Sequence, residues 1–410
     1  MENEKPPSYN KFRLLFISEY YGENDGPAGI VFKKFIEGLR SDHRFEFDVV
    51  SGGAFKDHSI FHIKKWLVKL PYFNIIEDWF FSQLTGHPKV GSWGWRATNA
   101  IKKNKLSKNT YDLVVAWSNP ISSLYVGAEF CKKFNTPLLW RFDDPYPPYN
   151  YPNVPGWQPP IRHMEFEKSW INNTIKNVSF FSAPTQELGN LMMVRLGQER
   201  SFCEWPHLGG IAKISDSAKK IAKKIKLDTS ILNIAYLGRV SDNRDIRLFL
   251  KTLLAFNRNG YRSKLHIFGD INNKWHSDVN KYIDLDLVEV HGSVSYEVSL
   301  CLMKKFDALY LLEAMFDSPV FLPSKLVDYV WAKKPLLIST PNGSAVERIL
   351  GGSGFPGLLG QTDKSQLKCL MEFVACVNRN KTNRFLFLGD DFQEQNVFDK
   401  FYRFLKKNLL

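Results

Sequence analysis

A chain of 410 residues with 44% hydrophobic content is long enough for two or three domains with sizeable cores. Its formal net charge of +13 sets up a field that attracts anions, yet no zinc-finger, RNA-binding or other nucleic-acid signature accompanies it, which leaves nucleotide sugar and acidic lipid as the expected partners and excludes nucleic acid. The five cysteines form no C-x-x-C pair, the N-terminus lacks a signal-peptide core, and no uncharged apolar run reaches about 18 residues, so the expectation is a cytoplasmic protein with nothing spanning a membrane.

Lys11–Ser18 reads as a first parallel strand. A glycine-rich loop follows, Tyr20–Gly29, in which Gly26 and Gly29 either let backbone approach a sugar or phosphate or merely permit the turn. Ile30–Arg40 has helical periodicity and Phe45–Val50 is a second strand, so the chain opens with a βαβ unit whose ligands belong at the carboxyl ends of its strands. Phe61–Trp95 interleaves Lys64, Lys65 and Lys69 with many aromatics. Such a segment can lie in a membrane interface, giving a peripheral contact with the inner face of a membrane; it also fits a helix pair packed on its own domain.

Tyr111–Trp117 and Thr136–Phe142 are further strands, separated by a helix over Leu124–Phe134. The second of them runs into Asp143 and Asp144, carboxylates placed just past the end of a buried strand, where they can face a ligand or simply close a turn. A helix over Arg162–Asn173 and a strand over Val178–Ala183 follow. Phe202–Gly210 looks like the exit from a first domain, and the lysine-rich stretch after it like a linker with a solvated helix.

The α/β pattern restarts at Leu232–Arg239, a strand closed by Gly238 and Arg239, and continues through Lys264–Asp270, a short strand and loop within Val288–Tyr296, and Asp307–Leu312. Next comes Pro323-Ser-Lys-Leu-Val-Asp-Tyr-Val-Trp-Ala-Lys-Lys-Pro335, a Pro-led helix running into the buried strand Leu336–Ile338. Lys325 and Asp328 share one helix face near the helix N-terminus. The cation and the helix end suit phosphate, and the carboxylate suits a ribose diol; an exposed ion pair within the helix fits the same spacing.

This stretch resembles the donor-site helix of family 4, retaining GT-B glycosyltransferases, which read P-S-K-x-x-E-Y-x-A-x-x-K-P. The resemblance implies that Asp328 binds the nucleotide ribose and that Lys325 lies near the diphosphate, with Pro323 and Leu326 shaping the same wall. It implies that Arg239 faces the diphosphate, aided by Arg244 where relatives carry a lysine, and that Ser293 and Val294 lie on the loop that contacts the base. The family's second acid, eight residues before the first, is replaced by Val320, with Asp317 or Glu313 as stand-ins. Ser118-Asn-Pro-Ile-Ser122 and Arg141-Phe-Asp-Asp-Pro-Tyr146 are similar to the family's S-x-P-x-S and D-x-R-D-P-W stretches, which puts Asp144 and Asp143 in the catalytic region.

The expected fold is therefore α/β, two doubly wound Rossmann-like domains facing a cleft: 1–210 on the acceptor side, a linker over 211–230, a nucleotide-sugar domain over 231–385, and a terminal helix over 386–410 packing back across the junction. The expected activity is transfer of a sugar from a nucleotide diphosphate sugar to a glycan or lipid-linked glycan, without cofactor or metal. Gly26, Gly29 and Asp317 are expected on the acceptor and sugar side. Three rivals fit the residues too: an inverting transferase with Asp143 or Asp144 as base, a binding protein that kept the fold without catalysis, and a Rossmann oxidoreductase, which lacks its fingerprint after the first strand. Gly352-Ser-Gly-Phe-Pro-Gly357 matches G-x-G-x-x-G in letters but not in context.

Overall fold

The computed structural model describes residues 11–52, 60–63, 80, 91–103, 110–146, 161–210, 213–316, 319–378 and 382–410. They divide into two compact units, one drawn from 1–206 together with 394–410 and the other from 207–393.

In the first unit the strands are β1 (Phe12–Ser18), β2 (Phe45–Ser51), β3 (Ile60–His62), β4 (Leu113–Ser118), β5 (Leu138–Phe142), β6 (Phe180–Ala183) and β7 (Cys203–Glu204). They form a single sheet in the order β3-β2-β1-β4-β5-β6-β7, every pairing parallel. β4 and β5 are buried along their whole length, as a parallel strand covered on both faces requires. The strand order reverses between β1 and β4, so their carboxyl ends flank the crevice where such sheets hold ligands. The helix Gly26–Leu39 takes Pro27 in its first turn and buries Val31, Phe32, Phe35, Ile36 and Leu39.

The terminal helix Glu394–Leu409 belongs to this unit and buries Val397, Phe398, Phe401, Tyr402 and Leu405. Phe401 lies 4.8 Å from Trp205 and 5.6 Å from Phe45, ring centre to ring centre. Phe398 meets Phe35 edge-on at 5.4 Å. Arg44 fixes the register of the helix: it binds Asp42 and, at 2.6 Å, Asp399, while its guanidinium lies 4.9 Å from the Tyr402 ring. Apolar rings thus supply the burial and one ion pair selects the orientation.

The second unit has β8 (Leu232–Leu237), β9 (Ser263–Phe268), β10 (Val288–Val290), β11 (Ala308–Leu312) and β12 (Leu336–Ser339) in the order β10-β9-β8-β11-β12, again all parallel. Alternation along the strands builds two cores. Ala235, Leu237, Leu309 and Leu311 pack on one face with Leu326 and Tyr329, while Ile234, Tyr236, Ala308 and Tyr310 pack on the other with Phe249 and Phe373. The stretch expected as a linker carries a helix, Asp216–Lys224, capped by the Ser215 hydroxyl. Its Ala218 and Ala222 sink into the first of these cores, and Lys219, Lys220, Lys223 and Lys224 face solvent. Gly352–Gly354 is a short turn after the helix Ala345–Ile349, not a strand-to-helix loop, so the glycine-rich match has no phosphate-binding context.

Both sheets are doubly wound Rossmann-like α/β units, as the sequence predicts. Among the described residues no helix is long and apolar enough to cross a membrane. The terminal helix yields a stability prediction. Phe401 is fully buried, so Phe401→Ala should destabilise the first unit by about 3–5 kcal/mol, read as a shift of its transition in urea unfolding. An unchanged midpoint would mean that the helix does not pack on this core.

Candidate functional site

In the second unit the strand order reverses between β8 and β11, and the chain brings charged groups to the carboxyl ends of these two strands. Gly238 follows β8 directly, with φ at +136°. A Cβ there would lie 2.0 Å from the Lys325 Nζ, so glycine leaves room for that side chain. Lys325 sits in the first turn of the helix Ser324–Ala332 and reaches back over the Tyr236 ring, its Nζ 4.8 Å from the ring centre and 3.4 Å from the hydroxyl. Among the described residues it forms no salt bridge with a carboxylate. Loss of hydration, with the nearby charge of Arg244, lowers its pKa to about 7.

Arg244 donates from Nη1 to Ser241 Oγ at 3.2 Å and to the Arg239 carbonyl at 3.4 Å, and its buried Nε has no partner among the described residues. The Arg239 side chain is exposed, while its carbonyl also accepts from the Tyr236 hydroxyl at 2.8 Å. Glu313 follows β11 and is 4% exposed. One of its oxygens accepts from the Thr340 hydroxyl, which is 2.6 Å from that of Ser344; the other, Oε1, is buried without a partner among the described residues. Burial pushes the Glu313 pKa up to about 7, against the pull of Thr340 and Arg244. The result is two cationic groups and one half-satisfied carboxyl, all with unused hydrogen-bonding capacity, at one switch point. Such a set can take an anion and a hydroxyl.

The other predicted residues of this unit have different partners. Asp328 is 4% exposed, and its Oδ1 accepts from the Gly210 N–H at 2.8 Å and the Tyr296 hydroxyl at 2.7 Å. It thereby ties its helix to Gly209 and Gly210, which pack against Val327 and Trp331. Lys325 and Asp328 therefore reach different groups despite sharing a helix face. Pro323 is the residue that precedes the helix, no side-chain cap forms there, and Leu326 is wholly buried. Ser293 donates to Asp270 at 3.0 Å, and Val294 packs on the core beside it. Asp317 lies outside the described residues, as does nearly all of the aromatic and basic segment 61–84.

In the first unit, Asp143 accepts from Arg141 Nε at 2.8 Å and from Trp117 Nε1 at 2.5 Å. Arg141 is fully buried between the rings of Trp117 and Trp205, so Asp143 serves as its counter-ion. Asp144 accepts from Asn119 Nδ2 at 2.7 Å. Burial and the neighbouring Asp143 raise its pKa to about 6, against the Asn119 hydrogen bond. Gly29 packs on the loop's own backbone, where a Cβ would meet the Gly22 carbonyl at 2.5 Å; Gly26, with φ at +69°, has open space above it. Two groups escape the sequence reading. Glu19, immediately after β1, accepts from Ser122 Oγ at 2.5 Å. Tyr236 supports Lys325. The rule that singles out Asp143, a carboxylate just past a buried strand, would also have found Glu19.

The sequence matches no protein-family profile and no curated protein. Solved structures do match. HepE from Anabaena, in complex with UDP and glucose, aligns with a TM-score of 0.61 at 14% identity, over 97% of this chain and 100% of that one. A glycosyltransferase from Rickettsia africae aligns at 0.57 and 14% identity, over 98% and 97%. The N-terminal domain of trehalose-6-phosphate phosphatase from Candida albicans aligns at 0.62 and 11% identity, over 99% of each chain. At these identities the likeness shows the fold.

The depressed lysine sets a pH dependence. The ammonium form attracts a diphosphate, and the unliganded lysine loses its proton above about pH 7, while Glu313 gains negative charge over the same range. Affinity for a nucleoside diphosphate should therefore be highest below about pH 7 and fall toward about pH 9, with proton uptake visible in calorimetry as a buffer-dependent heat. Lys325→Met should weaken binding about tenfold or more at pH 6.5 and flatten the slope. A slope unchanged in that variant would remove Lys325 from the anion site.

Proposed function

We propose that the chain is a glycosyltransferase of the GT-B class that moves a sugar from a nucleotide diphosphate sugar to a glycan or lipid-linked glycan, in the assembly of a polysaccharide or glycoconjugate. The observation that carries this reading is the set of groups at the ends of β8 and β11: Lys325 and Arg244, cations with no carboxylate partner among the described residues, beside the half-satisfied Glu313. Two of the aligned structures support it, HepE in complex with UDP and glucose and the glycosyltransferase from Rickettsia africae.

In the reaction the bond between the anomeric carbon and the diphosphate oxygen breaks, a bond to the acceptor oxygen forms, and the acceptor hydroxyl's proton passes to the departing diphosphate under retention or to Asp144 under inversion. Charge grows on the departing diphosphate. Lys325, Arg239 and Arg244 are the groups that meet it, each charge-assisted contact being worth about 1.5–3 kcal/mol. With this much positive charge supplied by side chains, no divalent metal is needed in the proposal. Glu313 takes the sugar-facing role of the acid that Val320 replaces. Asp328 keeps its ribose role only by exchanging its present partners, Gly210 and Tyr296, for ribose hydroxyls.

The acceptor is assigned to the first unit, at Glu19 and Asp144. Retention of anomeric configuration is proposed from the family 4 resemblance. One observation favours inversion instead: Asp144, with a pKa of about 6 and Asn119 as its one side-chain hydrogen-bond partner among the described residues, suits a general base. The net charge of +13 and the basic, aromatic segment 61–84 support a cytoplasmic enzyme that meets a lipid-linked acceptor at the inner face of a membrane.

A panel of sugar nucleotides, read by thermal shift and then by turnover, tests the proposal. At least one member should stabilise the protein and be consumed in the presence of EDTA. The anomer of the product separates retention from inversion, and under inversion Asp144→Asn should lower kcat by about 10²-fold or more. A panel in which no member stabilises the chain or is turned over would overturn the reading.

A further inference from the structure

Away from the groups assigned to the donor, one face of the second sheet carries a cluster that the proposed reaction does not use. His266 stands on β9, and Glu289 is its register partner on the edge strand β10. Register partners of neighbouring strands point to the same face, and His291, two residues beyond Glu289, returns to it. The His291 N–H donates to the Ile267 carbonyl at 2.9 Å, so the ladder continues to this residue and fixes its backbone. Three ligand-type side chains therefore meet above two adjacent strands. His266 Nδ1 lies 3.1 Å from His291 Nε2 and 3.5 Å from Glu289 Oε2, and His291 Nε2 lies 3.7 Å from Glu289 Oε1.

The surroundings orient the nitrogens. Asn233 Nδ2 donates to the carbonyls of Asp228 and Ile231 at 2.9 and 3.0 Å, which turns its Oδ1 toward His266 Nε2 at 3.1 Å. His266 Nε2 must then carry the proton, and Nδ1 presents its lone pair to the cluster. A ring nitrogen held by an amide oxygen behind it is the outer-shell arrangement that orients metal-binding histidines. The His291 ring is held by stacking on Phe268, centroids 4.3 Å apart and planes 7° from parallel. Lys264, the nearest lysine on this face, is neutralised by Asp286 at 2.6 Å.

We propose that His266 Nδ1, His291 Nε2 and one carboxylate oxygen of Glu289 bind a divalent transition-metal ion of the zinc type, with a fourth position open to solvent. Zinc bonds of about 2.0–2.1 Å in a tetrahedron place ligand atoms roughly 3.3 Å apart; the two nitrogens are 3.1 Å apart, and one ligand atom from each of the three residues lies within 4.8 Å of the others, so a small turn of the exposed Glu289 side chain closes the triangle. Two nitrogens and one carboxylate favour zinc over magnesium or calcium, which take oxygen ligands. Without metal, His291 Nε2 donates to His266 Nδ1; on metal binding the His291 ring changes tautomer, its proton passing from Nε2 to Nδ1 through solvent, and the freed Nε2 lone pair takes the ion. Its effect is to pin the short edge strand β10 to β9 and to set the start of the loop that leads to Ser293 and Val294. The inference stands whether or not the chain transfers sugar.

The test uses the full, tag-free chain after chelator treatment, with zinc binding followed by calorimetry and cobalt binding by visible absorption. One ion per chain is expected, with a tetrahedral cobalt spectrum and a rise in melting temperature on adding zinc. His291→Phe keeps the stacking on Phe268 and should abolish all three signals. Glu289→Gln, at an exposed position that does not threaten folding, should weaken binding at least tenfold. His276→Ala, at a histidine outside the cluster, should leave it unchanged. Absence of saturable binding in the wild-type chain, an octahedral cobalt spectrum, or wild-type affinity in Glu289→Gln would each overturn the proposal.

Discussion

Lys325 is placed by four neighbours and given no carboxylate among the described residues, and the candidate site depends on that imbalance. The Tyr236 ring lies under its ammonium, Gly238 gives it room, Arg244 adds like charge, and the first turn of its helix sets where it starts. An ammonium in that position prefers to lose its proton unless an anion arrives. Tyr329, four residues on in the same helix, accepts a hydrogen bond from the Leu237 N–H at 3.0 Å and so fixes the helix to the end of β8. The same turns that bury the hydrophobic side of the helix thus also fix the charge.

Topology explains why the groups meet. A doubly wound parallel sheet has one place in each unit where neighbouring strands leave in opposite directions, and loops there cannot cover the strand ends completely. In the second unit Arg239 and Glu313 follow strands on the two sides of that place; in the first, Glu19 and Asn119 do. Polar groups left there need partners, and the chain supplies only some. Asp143 has Arg141 and Trp117, whereas among the described residues Glu313 Oε1 and Arg244 Nε have none. Ordered water or a bound ligand is what meets such a deficit.

Much of this was legible in the sequence. Long apolar runs announced β1, β4, β5, β8, β9 and β11, because strands buried on both faces have no polar alternation to lose. β3 and β7, with three and two residues, are too short to carry a pattern. Lys325 was visible through its place at a helix start, while Arg239, Arg244 and Glu313 were reached through the resemblance to the family 4 motifs. The partners of Asp328 were not: Gly210 lies 118 residues away in sequence, and no local spacing encodes that contact. Nor was Tyr236 as a support for Lys325, since alternation says only that it points inward. The metal-type cluster depends on the register between β9 and β10, which sequence periodicity leaves open.

The most direct test is the titration of Lys325 itself, followed by NMR of its labelled side chain in the full chain and assigned through Lys325→Met. A pKa near 7 in the free protein, moving well upward when a nucleoside diphosphate is added, is the result predicted here. A free-protein pKa in the ordinary lysine range, or one that the nucleotide leaves unmoved, would contradict the account.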